Sequence, residues 1–358
     1  MSSQSLAARG LMVCFAAAVA AAAPLALAQT AKPSAQAYKA PRNAFGQPDF
    51  GGAWSNATIT PTTRVSSFGT RSIYTPDEVK QQEGAQAASV VAGNQPIDNS
   101  KPLTDGVILA HGGVGIAGNY DRGWFEPGSL VMRVHGEARN SLLTTPNGQV
   151  PPRKGALAPV AGAGRAPLAA GRPAGAPARA AATDNPETMA AGDRCLISFG
   201  RNAGPPMLPN GFYNNNYQIQ QGRDAVAILS EMVHDTRIVR LNSTHRTDGV
   251  RPWFGDSIGH YEGETLVVET TNIPQTQAYN GSWEHLTVTE KFTRVARDRL
   301  LYQFSIHDPT LWDADWGGEY EFSATSGVYE YACHEGNYAM EDMLAGARAQ
   351  DRAAAARR

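Results

Sequence analysis

The 358-residue chain carries 31 Lys and Arg against 33 Asp and Glu, a net charge of -2, with 42% hydrophobic and 18% charged residues. This near-neutral balance gives no electrostatic ground for nucleic-acid binding, and the hydrophobic share is that of a globular protein. Gly (36) and Pro (23) are abundant, and much of the excess sits in one internal stretch.

The chain opens with a positive residue, Arg9, and the apolar run "LMVCFAAAVAAAAPLALA", with Ala26-Leu27-Ala28 as a small-x-small cleavage site. This pattern predicts a secretory signal over residues 1–28. A retained anchor is the alternative, and Pro24 and the long Ala run argue against it. No later segment reaches the ~18 apolar residues that span a bilayer, so the mature chain is expected to be periplasmic or secreted, without a transmembrane segment. Residues 29–44 are Ala/Pro-rich and read as a flexible leader.

Residues 45–147 form an N-terminal segment of Gly-rich turns, expected to pack on the main domain. Within it "TPDEVKQQEGAQAASVV" reads as a helix, with Thr75 and Pro76 at its start and Asp77 and Glu78 in its first turn. Residues 148–186 are nearly all Ala, Gly, Pro and Arg, a composition that buries too little apolar surface to order itself, and they read as a disordered linker. Residues 187–348 form the main domain. Its eight β-branched or aromatic runs are "NYQIQQ", "AVAILSEMVH", "TRIVRLN", "TLVVETT", "HLTVTEKFTRV", "RLLYQFSIHD", "EYEFSAT" and "VYEYACH". Their close spacing predicts a mainly β fold, a lipocalin-like antiparallel barrel or curled sheet, because closure removes exposed edges. A helix follows Asn337 and frays into a tail at 349–358.

Period-2 alternation puts Leu286, Val288, Glu290 and Phe292 on one strand face, and Leu300, Tyr302, Phe304, Ile306 and Asp308 on another. A carboxylate on an apolar face needs a partner or a ligand. Glu290 and Asp308 are therefore either hydrogen-bonded buried acids or acids of raised pKa lining a pocket. Cys195 and Cys333 remain after signal removal, and an even count in an exported chain predicts a disulfide.

His234 with Asp235, His260 with Glu262, and His334 with Glu335 pair an imidazole with a nearby carboxylate, the basic unit of acid–base chemistry. Each lies at the end of a strand pattern, so these histidines and Glu290 are expected to line one pocket at a barrel mouth. Unrelated surface histidines are the plainer alternative. No HExxH or CxxC spacing occurs, and neither a metal nor a cofactor is expected. In "GFYNNNYQI", Tyr213, Asn214, Asn215, Asn216 and Tyr217 pair amides with flat aromatic faces, as a carbohydrate or phenolic site would. The alternative is an Asx-turn entering a strand. Trp253 is a further stacking candidate.

The stretches "RCLISFGRNAGPPMLPNGFYNNNYQI", "EMVHDTRIVRLN", "GDSIGHYEGETLVVETTN" and "YEYACHEGNYAMEDML" together resemble a family of exported, uncharacterised bacterial proteins. The resemblance spans Pro48 to Arg348 without the linker. Relatives usually read Gly-His-Trp-Glu-Gly-Asp where this chain has Tyr261 and Glu264. The resemblance implies export and domain extent, and it brings no reaction with it. The expectation is an exported, cofactor-independent hydrolase or lyase acting on a small glycoside, phenolic or terpenoid, with His234 or His260 as base and Glu290 or Asp308 as acid. The alternative is a periplasmic binding or carrier barrel without catalysis.

Overall fold

Alternating β-branched and polar residues build a closed barrel in the computed structural model, which describes residues 38–94, 126–155, 185–189, 191–198, 200–211 and 213–357. The expected signal and residues 156–184 of the expected linker lie outside the described residues. The barrel is made of nine strands among the described residues: β1 (Gly52–Ser55), β4 (Asn216–Gln221), β5 (Ala225–Ser230), β6 (Thr236–Leu241), β7 (Asp256–Glu262), β8 (Thr265–Thr271), β9 (Thr287–Ala296), β10 (Arg299–His307) and β11 (Trp316–Ala324). A separate two-stranded sheet pairs β2 (Arg133–Val134) with β3 (Glu137–Ala138).

The order around the barrel is β1-β11-β10-β9-β8-β7-β6-β5-β4, closed by β4 pairing with β1. Pairing is antiparallel except between β6 and β7, which run parallel. The connection 242–255 must therefore return along the barrel wall, since parallel neighbours cannot be joined by a tight turn. The expectation of a wholly antiparallel sheet is corrected at this point. "VYEYACH" is corrected too: Val328–His334 is irregular chain and turn. The edge of β11 that it would have used is already paired by β1. Four strands lie outside the expected runs: the four-residue β1, the short β2 and β3, and β7.

The inner faces are those that alternation predicts. Leu286, Val288, Glu290, Phe292, Leu300, Tyr302, Phe304, Ile306 and Asp308 are all buried. Trp54, Tyr217, Tyr302, Tyr320, Phe292 and Phe322 fill the interior, each large apolar side chain contributing about 1.5–3 kcal/mol on burial. Residues 201–208 dip into this interior, and the backbone N–H of Met207 donates to Tyr302 Oη at 2.9 Å while its carbonyl accepts from Tyr320 Oη at 2.9 Å.

Helix α1 (Pro76–Gly93) starts on a capping box. Thr75 Oγ1 accepts from the Glu78 N–H, and the Glu78 carboxylate accepts from the Thr75 N–H at 2.7 Å. Helix α2 (Tyr338–Ala355) follows Asn337 as expected, but it continues through residues 349–355, where a frayed tail was expected. The N-terminal segment packs on the barrel and also contributes β1 to it. Leu143 bridges Gly318, Thr144 N–H donates to the Gly317 carbonyl at 3.0 Å, and Glu319 N–H donates to the Leu142 carbonyl at 2.9 Å. Ordered chain continues past 148, where the linker was expected to start. Trp312 Nε1 donates to the Pro151 carbonyl at 3.1 Å, and Lys154 N–H donates to the Leu311 carbonyl at 2.7 Å.

Candidate functional site

The structure does not gather His234, His260, His334 and Glu290 into one pocket. His234 lies in the β5–β6 turn, exposed, with Nδ1 at 3.3 Å from the Tyr331 carbonyl. His260 lies on the outer face near the β7–β8 turn, exposed and paired only with Glu262 at 3.1 Å. Because β6 and β7 are parallel, the β5–β6 and β7–β8 turns are at opposite ends of the barrel. His334 and Glu335 are exposed on the irregular segment before α2. Glu290 points inward: it pairs in register with Val268, the neighbour of the Val267 that faces His260, so the two project from opposite faces of the wall.

Glu290 is fully buried and its charge is already answered. Arg237, on β6, forks onto both carboxylate oxygens, with Nη2 to Oε1 at 2.9 Å and Nη1 to Oε2 closer still. Tyr302 Oη donates to Oε1 at 2.7 Å. The network continues through the backbone of Met207 to Tyr320, and through Asn56 Nδ2, which reaches both Tyr320 Oη and Tyr217 Oη at 3.1 and 3.3 Å. Burial, then the Glu290 charge, pushes the Tyr302 hydroxyl well above its ordinary pKa, so it stays a donor. The Arg237 guanidinium is held charged: burial works against it, and the Glu290 charge and hydrogen bonds outweigh that cost. A two-toothed, desolvated pair of this kind fixes side-chain positions and leaves no free acid.

Asp308 is likewise spent. It accepts from Ser282 Oγ, from Thr310 N–H at 2.9 Å and from Thr310 Oγ1 at 2.6 Å, capping the turn after β10. Burial opposes its ionisation, and the bonds from Ser282 and Thr310 outweigh it, leaving its pKa lowered. The "YNNNY" stretch is also explained by local hydrogen bonding. Glu231 is buried, and its carboxylate accepts from Asn214 Nδ2 at 2.8 Å, from Asn216 Nδ2 at 3.1 Å and from Tyr329 N–H at 2.8 Å. Asn215 closes a small loop onto the backbone of Asn210 at 2.8 and 2.9 Å. Tyr217 is inside the barrel, and Tyr213 stacks on Tyr331 with centroids 6.5 Å apart. Trp253 is exposed and meets Phe254 edge-on. Cys195 and Cys333 form the expected disulfide, with Cα atoms 5.7 Å apart.

A pocket of about 190 Å³ opens where the N-terminal segment meets β11. Arg64, Thr70, Ser72, Arg139, Ser141 and Glu319 supply its polar lining. Arg64 is buried beneath it, held by Asn140 Oδ1 at 2.9 Å, the Gly69 and Pro146 carbonyls at 3.1 and 2.9 Å, and Ser141 Oγ at 3.5 Å. Gly148 makes room for it: at φ +65° a side chain there would be strained, and its Cβ would overlap Arg64. Arg139 pairs with Glu319 at 2.7 Å, and Gln303 Nε2 bonds the other Glu319 oxygen at 3.1 Å. Burial, and then the Arg139 charge, lowers the Arg64 pKa.

Arg64, Arg139 and Arg237 were not among the expected site residues. For Arg237 the signal was present, since the same alternation that buries Glu290 places it with Val239 and Leu241 on the inner face of β6. Nothing in the local sequence of Arg64 marks it, because its partners come from separate turns, and the closer partner of Arg139, Glu319, lies far along the chain on β11. His245 was also missed. Its imidazole sits between Asp256 at 2.9 Å and Glu269 at 3.1 Å, on the connection that returns from β6 to β7. Comparison with protein-family models, with curated proteins and with solved structures finds no match. Among the described residues no group of three His, Cys, Asp or Glu side chains is placed to hold a metal ion, and no helix is long and apolar enough to cross a membrane.

Proposed function

We propose that the chain is an exported small-molecule binding protein whose ligand site is the pocket between the N-terminal segment and β11. One observation carries the reading: the pocket is lined by Arg139, whose Nε has no hydrogen-bond partner among the described residues, whereas the carboxylates expected to act as acids are consumed by Arg237, Ser282 and Thr310. A preformed cleft with a few convergent polar groups is the usual form of a small-ligand site. The disulfide is compatible with export. At about 190 Å³ the pocket suits a ligand of roughly six to ten non-hydrogen atoms, below the ~300 Å³ typical for drug-sized molecules, which favours small polar compounds over glycosides and terpenoids.

The test pairs thermal-shift screening of small polar compounds with mass spectrometry of the recovered ligand. The expected result is a compound that raises the melting temperature, is returned unchanged after prolonged incubation, and loses its effect when Ser72→Leu fills the pocket. Conversion of the compound by wild type but not by Glu290→Gln or His260→Ala would favour the hydrolase or lyase reading instead.

A further inference from the structure

A guanidinium has five N–H donors and no acceptor, and buried donors are normally paired. The four acceptors around Arg64 leave at least one of its N–H groups without a partner among the described residues, and the contact to Ser141 at 3.5 Å is long. Arg139 is more open still. Its Nη2 pairs with Glu319, while its Nε is buried with no hydrogen-bond partner. Both cations line the same small pocket, close enough for one to affect the ionisation of the other. Among the described residues no carboxylate lies within ion-pair distance of Arg64; both nearby carboxylates, Glu319 at 2.7 Å and the half-exposed Glu137 at 3.7 Å, fall on Arg139.

Two like charges held together, one of them buried, are costly unless something negative joins them. The chain's own carboxylates answer Arg139, and among the described residues none reaches the buried Arg64. The hydroxyls of Ser72 and Thr70 line the same space, and they donate to anionic oxygen as readily as to water. At about 190 Å³ the pocket admits a small group, and planar guanidinium forks suit the paired oxygens of carboxylate, sulfate and phosphate.

We propose that this pocket binds a small oxyanion, either a short-chain carboxylate or an inorganic oxyanion, between the guanidinium groups of Arg64 and Arg139. The inference rests on the pocket being a ligand site and specifies its ligand class. Occupancy would supply the acceptor that Arg139 Nε lacks and the negative charge that Arg64 lacks.

Thermal shift and calorimetry on the full mature chain test it, with sulfate, phosphate, malonate and succinate as probes against chloride at matched ionic strength, and glycerol as the neutral probe. At least one oxyanion should raise the melting temperature in a saturable way, and the ranking of inorganic against dicarboxylate probes tells the two sources apart. The decisive variant is Arg139→Gln with Glu319→Gln, which removes the cation and its less exposed partner and leaves only the half-exposed Glu137 to solvent. It should bind at least about tenfold more weakly, the loss expected for a charged, two-toothed hydrogen bond. Because Arg64 braces several turns, Arg64→Gln is expected to disturb the fold, and Ser72→Leu serves as the second variant, expected to block binding sterically. Oxyanion binding that survives both variants overturns the proposal. Glycerol or another neutral probe binding as well as the anions, and blocked by Ser72→Leu, overturns the anion inference and leaves the ligand-site reading standing. No response to any probe removes both.

Discussion

Asp235 shows what one misplaced charge does to this fold. It follows the β5–β6 turn, half-buried, and its Oδ2 is enclosed with no hydrogen-bond partner. Burial pushes its pKa up to about 6, with the neighbouring His234 pulling the other way. In the unfolded chain it titrates near 3.9. The folded state therefore prefers the protonated acid. Its contribution is complete below pH ~4 and is lost as pH rises through about 6. Asp235→Asn removes the ionisation and keeps the shape, so the variant should be more stable than wild type at pH 7–8, with the advantage shrinking to nothing near pH 4. Urea midpoints measured from pH 4 to 8 read this directly, and a gap that held constant across the range would show that ionisation is not its source. Glu290 gives the contrasting lesson. Alternation along β9 told that it is buried, and the physical rule that a buried carboxylate needs a partner was right. Its partner, Arg237, is 53 positions away, and period-2 reasoning fixes the face of a side chain, not which strand closes beside it.

At the scale of elements, what was legible followed from repetition and what was missed followed from brevity. β9 and β10 run ten and nine residues with clean alternation, and their faces came out as read. β1 has four residues, "GAWS", too short for any period, yet it closes the barrel between β11 and β4. The parallel step from β6 to β7 had no local mark, because direction is decided by how the 242–255 connection runs. The two adjacent glycines of β11 lie just before the expected run "EYEFSAT", and the structure gives them a positive role. A Cβ on Gly317 would overlap the Phe304 backbone carbonyl on β10, and one on Gly318 would crowd the Leu142 carbonyl. Gly317→Ala should therefore destabilise the protein by about 3 kcal/mol, since backbone rather than a flexible side chain must move. Gly211→Ala, where nothing lies within 4 Å of the added carbon, should change stability by less than about 0.5 kcal/mol. Equal midpoints for the two variants would mean that β10 and β11 are not held at this spacing. The Gly317 carbonyl also receives the Thr144 N–H, so the loss should carry over to ligand response at the adjoining pocket.

For the whole molecule, the disulfide decides how far the two ends of the main domain act as one. Cys195 lies before the loop that fills the barrel and Cys333 lies after the last strand, 138 positions apart. The bridge is one of several ties between the same segments. Asn337 Nδ2 donates to the Asp193 carbonyl at 2.9 Å, Tyr329 N–H donates to Glu231 at 2.8 Å, and Tyr331 stacks on Tyr213. These contacts hold residues 329–337 against Asp193, Tyr213 and the β5–β6 turn that carries Glu231. Cross-linking so long a loop removes unfolded-state entropy equivalent to about 5 kcal/mol in the chain-entropy model. That full amount appears only if the segment and the barrel unfold together. If the segment opens alone, the bridge lies outside the cooperative unit and its removal costs the barrel little. The single network from Tyr329 through Glu231 to Asn216 on β4 argues for joint unfolding. Denatured, unreduced protein lacking residues 1–28, and so lacking Cys14, should show almost no free thiol. Reduction, or Cys195→Ser with Cys333→Ser, should then lower the unfolding free energy by about 3–5 kcal/mol while one transition is retained. Two reactive thiols in the unreduced protein would sink the cross-link itself. A split into two transitions, with the barrel midpoint unmoved, would show that the segment caps the barrel without belonging to its cooperative core.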